Sequence, residues 1–154
     1  MEHGKVGCRL IVSAARGHER AVLRDLLDLL FPYDNSVDYS TVNNRICIKT
    51  TLDLNAVSRI LGRFPVRNLV SARYVLLSEE AKPNLEEGLK RLCSRMCGSN
   101  IRFRKVSVRL RSREGWRQEY YYLIRECLQE CTGGSADAYI EFFNGILVLT
   151  LKVF

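Results

Sequence analysis

The apolar positions along the chain change period several times, and each change marks an element. Leu10-Ile11-Val12, within residues 9–13, is a short apolar run of strand length. From about Gly17 the spacing turns helical, with Val22, Leu23, Leu26, Leu27 and Leu30 on one stripe that Pro32 ends. Two β-rich runs, 37–42 and 45–51, flank Asn43-Asn44, a hairpin signal. Asp53 then caps a second stripe of Leu54, Val57, Ile60, Leu61 and Phe64, stopped by Pro65. Residues 68–77 read as a fourth strand, and the order βαββαβ is the ferredoxin-like pattern.

A short polar link, 78–82, follows. Pro83 suits the first position of a helix that lines up Leu85, Leu89, Leu92, Cys93 and Met96 and ends at Gly98. The run 103–111 alternates: Val106, Val108 and Leu110 face one way, Lys105, Ser107, Arg109 and Arg111 the other. A long helix is predicted from near Ser112, with Trp116, Tyr120, Leu123, Ile124, Cys127, Leu128 and Cys131 on its apolar stripe. Gly133-Gly134 closes it. The strands 136–143 and 146–154 form a last hairpin across Asn144-Gly145. The pattern predicts an α+β protein of two modules, 1–80 and 81–154, the first ferredoxin-like and packed against the second.

The 154 residues, 47% of them apolar and 27% charged, suit a folded chain and exclude low complexity. No apolar run reaches the ~18 residues of a membrane helix. Leu10-Ile11-Val12 is cut short by Arg16, so no signal-peptide core is read, and the expectation is a cytoplasmic protein with no membrane partner. Charge narrows the field further. The net charge of +7 favours an anionic partner, and 18 of the 24 basic residues are arginine, which forks onto phosphates. Residues 1–80 carry +2 and residues 81–154 carry +5. Within 101–125 eight basic residues face only Glu114 and Glu119.

Catalytic chemistry finds little support. The two histidines, His3 and His18, stand alone, and no Gly-rich nucleotide loop, P-loop or HExxH spacing occurs. No base is spaced to activate a nucleophile. The expectation is a protein that is not an enzyme and takes no metal and no cofactor. Gly133-Gly134-Ser135 reads as a helix end rather than a phosphate loop. The cysteines leave three states open: zinc ligands, buried free thiols, or bridges joining Cys93 to Cys127 and Cys97 to Cys131, both offsets being 34. Cys8 shares the apolar parity of Leu10 and Val12 while Cys47 shares that of Arg45 and Lys49, which argues against a Cys8–Cys47 bridge.

The basic strand is the sharpest feature. Alternate residues on one face are about 6.6 Å apart, so Lys105, Arg109 and Arg111 form a row that an RNA backbone could follow, against the alternative of a plain solvated face. Arg113 and Arg117 then fall at the start of the expected long helix, and Arg16 just before the first one. Cations there oppose the macrodipole, which makes sense if a phosphate is the missing partner. Tyr121 and Tyr122 lie off the apolar stripe and could serve as stacking platforms.

The run Leu10-Ile11-Val12-Ser13-Ala14-Ala15-Arg16-Gly17-His18-Glu19-Arg20, with the later Lys49-Thr50-Thr51-Leu52-Asp53, resembles archaeal stand-alone THUMP proteins. These are similar to the adaptor subunit that assists tRNA N4-acetylcytidine formation. Residues 106–111, the long helix and Ala136-Asp137-Ala138-Tyr139-Ile140-Glu141 look like the THUMP core. The resemblance implies a ferredoxin-like domain packed on a THUMP-type α/β module, tRNA binding near the acceptor end, and no chemistry of the chain's own. A separate modification enzyme, an acetyltransferase, would be its partner, and DNA would not. Arg16 and Lys49 match the first module's motif, and Lys105, Arg109 and Arg111 the second's basic strand. Ser13-Ala14-Ala15 departs from the threonine-rich turn usual in the family, as do the cysteine pairs. The expected RNA-binding set is therefore Arg16, Lys49, Lys105, Arg109, Arg111, Arg113 and Arg117. An RNA-modifying or RNA-processing enzyme, or a basic protein-interaction scaffold, are the alternatives.

Overall fold

The computed structural model describes residues 7–154, and His3 lies outside them. The chain divides into two units, one running to Val75 and taking in Lys152–Phe154, the other Leu76–Leu151. The architecture is mixed α+β, with seven strands and four α-helices among the described residues. No helix there is long and apolar enough to cross a membrane.

The first unit holds β1 (Leu10–Ala14), α1 (Glu19–Leu30), β2 (Asp38–Val42), β3 (Arg45–Lys49), α2 (Leu54–Arg63) and most of β4 (Leu69–Glu79). Its strands lie in the order β2-β3-β1-β4, every neighbouring pair antiparallel. Each helical crossover therefore skips one strand, the split-βαβ arrangement. The apolar stripes of the helices explain the packing: Val22, Leu26 and Leu30 of α1 and Val57, Ile60 and Leu61 of α2 share one core with Leu10, Val12, Ile46, Ile48, Ala72 and Tyr74. Burying each Val, Leu or Ile of this set contributes about 1.5–3 kcal/mol before the entropy of ordering is set against it. Asp53 caps α2 as its sequence context suggests, accepting from the Ala56 N–H at 2.8 Å. Asn43, at φ 57°, turns the β2–β3 hairpin.

Asp34 is buried in the loop after α1. Its carboxylate accepts from the Ser36 N–H (3.0 Å) and hydroxyl (2.5 Å), the Thr50 hydroxyl (2.6 Å) and the Thr51 N–H (2.8 Å). These donors, the Ser36 hydroxyl foremost, hold the carboxyl well below the usual carboxylate range. The group ties the α1–β2 loop to the segment that follows β3.

The second unit holds the end of β4, then α3 (Leu85–Met96), β5 (Phe103–Arg109), α4 (Tyr120–Leu128), β6 (Thr132–Phe143) and β7 (Ile146–Lys152). Within this unit the strands lie in the order β7-β6-β5. β6 and β7 are antiparallel, with Ile140 opposite Leu149, whereas β5 runs parallel to β6 and forms the sheet edge. Leu85, Leu89, Leu92 and Met96 of α3 and Ile124 of α4 are buried, as are Ala138, Ile140, Leu147, Leu149 and Leu151 on one sheet parity. Asn144 and Gly145, at φ 54° and 79°, make the β6–β7 turn that their sequence announces.

Four expectations change here. The long helix from Ser112 does not form: Ser112–Glu114 is one 3-10 turn, Gly115 at φ 95° breaks it, and α4 begins only at Tyr120. Gly133 and Gly134 do not close a helix but open β6, because a Cβ on Gly134 would sit 2.0 Å from the Arg102 carbonyl oxygen. Pro83 precedes the cap instead of occupying the first helical position, and Asn84 caps α3 by accepting from the Glu87 N–H at 3.0 Å. The cysteines pair as Cys8–Cys47, Cys93–Cys127 and Cys97–Cys131, with Cα separations of 5.4, 5.8 and 5.2 Å. The two bridges of equal offset form, Cys93–Cys127 between α3 and α4 and Cys97–Cys131 between the turns that follow those helices. The parity argument against Cys8–Cys47 fails because β1 begins at Leu10, so its alternation does not extend to Cys8.

Candidate nucleic-acid interface

The basic strand β5 is an edge strand, which leaves one of its sides without a neighbour. In the register, Lys105 stands beside Asp137, Ser107 beside Tyr139 and Arg109 beside Glu141. This parity is opposite to that of Ala138 and Ile140; Lys105 and Arg109 are exposed on it, although Glu141 beside Arg109 is buried. The Arg109 guanidinium lies over the Tyr139 ring, 4.7 Å from its centroid. Stacking of this kind orients a guanidinium and leaves its edge donors available. No local pattern marks Tyr139 as its support, since pairing between β5 and β6 is a long-range fact.

β5 ends at Arg109, so Arg111 is not part of the strand row. It opens the following turn, where its backbone N–H donates to Glu114 Oε1 at 2.9 Å, and its carbonyl accepts from Glu114 and Trp116. Arg113 lies inside this turn and Arg117 beyond it, both exposed. Neither stands at the N-terminus of a long helix, so, contrary to expectation, no helix dipole points at a phosphate beside them. Arg117 lies 3.7 Å from Glu119 with both side chains mostly in solvent, a pair worth little. Arg104, by contrast, is hydrogen-bonded to Asp137, which raises its pKa and takes it out of the set of open cations. Among the described residues Lys105, Arg109, Arg111 and Arg113 form no ion pair with a carboxylate.

The first unit places its two candidates apart. Arg16 is exposed just past the C-terminal end of β1, in a turn where Gly17 at φ 86° donates its N–H to Glu19 Oε1 at 3.1 Å. With Ala14, Gly17, Glu19 and Asn44 it lines an open concavity. Lys49 is half-buried at the far end of β3, since Leu10 pairs with Ile48 and Ser13 with Arg45. At about 3.3 Å per residue the two cations are roughly 20 Å apart. They do not form one patch.

Neither a protein-family model nor a curated protein sequence matches the chain. Solved structures match its fold. TrmN from Thermus thermophilus aligns over 94% of this chain and 45% of its own, with a TM-score of 0.63 and 13% identity. A predicted N6-adenine-specific DNA methylase from Listeria monocytogenes aligns over 97% of this chain and 41% of its own (TM-score 0.62, 15% identity). A 4-thiouridine synthetase solved as an RNA complex with bound ATP aligns over 94% and 41% (TM-score 0.53, 10% identity). At these identities the likeness establishes a common fold, and this chain spans less than half the length of each. The expectation that the chain is no enzyme is corrected by it. Proteins described as a methylase and a synthetase carry this fold, so the missing catalytic signature does not set the chain apart from enzymes.

Proposed function

We propose that this chain is an RNA-binding protein of RNA modification, which lays the β5 edge of its second unit along an RNA backbone. The observation that carries this reading is the exposed group of Lys105 and Arg109 on the edge strand and Arg111 and Arg113 in the turn after it, none of them in an ion pair with a carboxylate. Arginine and lysine so placed neutralise phosphates in a sequence-independent way. The synthetase–RNA complex among proteins of the same fold supports RNA over other polyanions. The resemblance to stand-alone THUMP proteins supports tRNA as the RNA and an acetyltransferase as the modification enzyme to which it is presented. Arg16 supplies a contact from the first unit, and Arg117 extends the second unit's basic turn. Lys49 meets a different stretch of the same RNA, because it stands too far from Arg16 to share a phosphate.

Fluorescence anisotropy with tRNA and with a DNA duplex, over about 50–200 mM salt, tests the binding. The reading expects tRNA to bind more tightly than the duplex and to lose affinity steeply as salt rises. Equal affinity for both, or salt-independent binding, contradicts it. Affinity capture from native extract tests presentation, and recovery of neither tRNA nor a modification enzyme overturns that role.

A further inference from the structure

The outer face of α4 carries a feature that phosphate binding does not use. Tyr121, Tyr122 and Arg125 share one face of α4, and with Gln118 from the turn just before the helix they line a shallow cleft. The opposite face holds buried Ile124 and the Cys127 bridge to Cys93, which fixes α4 and turns the cleft outward. Tyr121 and Tyr122 are 45% and 67% exposed. An amphipathic helix that already buries an apolar stripe has no packing reason for two rings on its outer side. Trp116 stands edge-on to Tyr121, its ring centroid 6.1 Å away, and to Tyr120 at 5.7 Å.

We infer that this cleft is a binding site for unpaired nucleotides: bases stack on Tyr121 and Tyr122, Arg125 takes a flanking phosphate, and the Gln118 amide reaches a base edge. The inference rests on the RNA reading and deepens it, since it assigns the protein an RNA with a single-stranded segment or end. Two exposed π-faces beside a cation, in a region of strong positive charge, are the composition that single-strand sites require. A fully paired helix keeps its base faces stacked on one another and cannot use them.

Trp116 is the chain's single tryptophan, so it reports on the site directly. The test titrates a short unstructured oligoribonucleotide and a blunt RNA duplex of equal phosphate number, reading both anisotropy and Trp116 fluorescence. The single strand is expected to change Trp116 emission and to bind the Tyr121→Ala/Tyr122→Ala protein at least about fivefold more weakly per ring lost. Tyr121→Phe/Tyr122→Phe should keep the binding, because a phenyl ring still stacks. Duplex binding should be the same in all three proteins. Unchanged single-strand binding in the alanine variant overturns the cleft while leaving the RNA reading intact. Failure of wild-type protein to bind either RNA overturns both.

Discussion

Asp34 holds its loop with four short hydrogen bonds around a buried carboxylate, so its loss has two separable effects. Asp34→Ala strands donors of Ser36, Thr50 and Thr51 and should cost about 1–3 kcal/mol in urea denaturation. The second effect is on pH dependence. The folded carboxyl titrates below its unfolded value, so its contribution is fully present above about pH 4 and is lost as pH falls towards and through the depressed folded value. Wild-type stability should therefore fall more steeply than that of Asp34→Ala between about pH 5 and pH 2; parallel curves would show that the hydrogen bonds contribute nothing to the ionised state. The residue was legible in part. Asp34-Asn35-Ser36 after a Pro-terminated helix is an Asx-turn context, but the Thr50 and Thr51 partners become neighbours only once β3 is in place. Arg109 is similar: its exposure followed from alternation, its Tyr139 support did not.

Glycine positions separate elements that tolerate a side chain from those that do not. Gly134→Ala would drive a Cβ into the backbone of Arg102 and should destabilise by about 2 kcal/mol or more, loosening the start of the β5–β6 pairing. Gly62 lies inside α2 with open space around it, so Gly62→Ala should stabilise by up to about 1 kcal/mol. Thermal melts of the two variants moving in the same direction would contradict this account. The bridges Cys93–Cys127 and Cys97–Cys131 each close a sequence separation of 34, worth about 3–4 kcal/mol in the loop-entropy picture. Because they link the same segments, the second adds less than the first. Reduction should lower the melting temperature, and Cys93→Ser/Cys127→Ser should reproduce part of that drop; a melt indifferent to reductant would refute the role. Strong periodicity made α1, α2, α3 and both hairpins readable. The stretch 112–119 was misread because Trp116 and Tyr120 continue a helical spacing that Gly115 interrupts, and a single glycine is a weak stop signal in a sequence.

For the whole molecule, the order of elements and the gathering of positive charge in the second half were readable from period and composition. The division of the candidate residues was not. Arg16 and Lys49 look like partners in a motif, yet strand register sets them at opposite ends of β1 and β3. The parallel β5–β6 pairing and the edge position of β5 depend on contacts that no local pattern encodes. The central claim is that this edge and the turn after it neutralise RNA phosphates, and the salt dependence of tRNA binding by Arg109→Ala/Arg111→Ala tests it most directly. Both side chains are exposed, so the variant should fold, and Arg59→Ala on α2 serves as the control outside the cluster. The account predicts weaker binding, with the slope of log affinity against log salt flattened by about 1.4–1.8 for two lost contacts. The control should keep the wild-type slope. A double variant with an unchanged slope would mean that the arginines are solvated surface and that the RNA runs elsewhere.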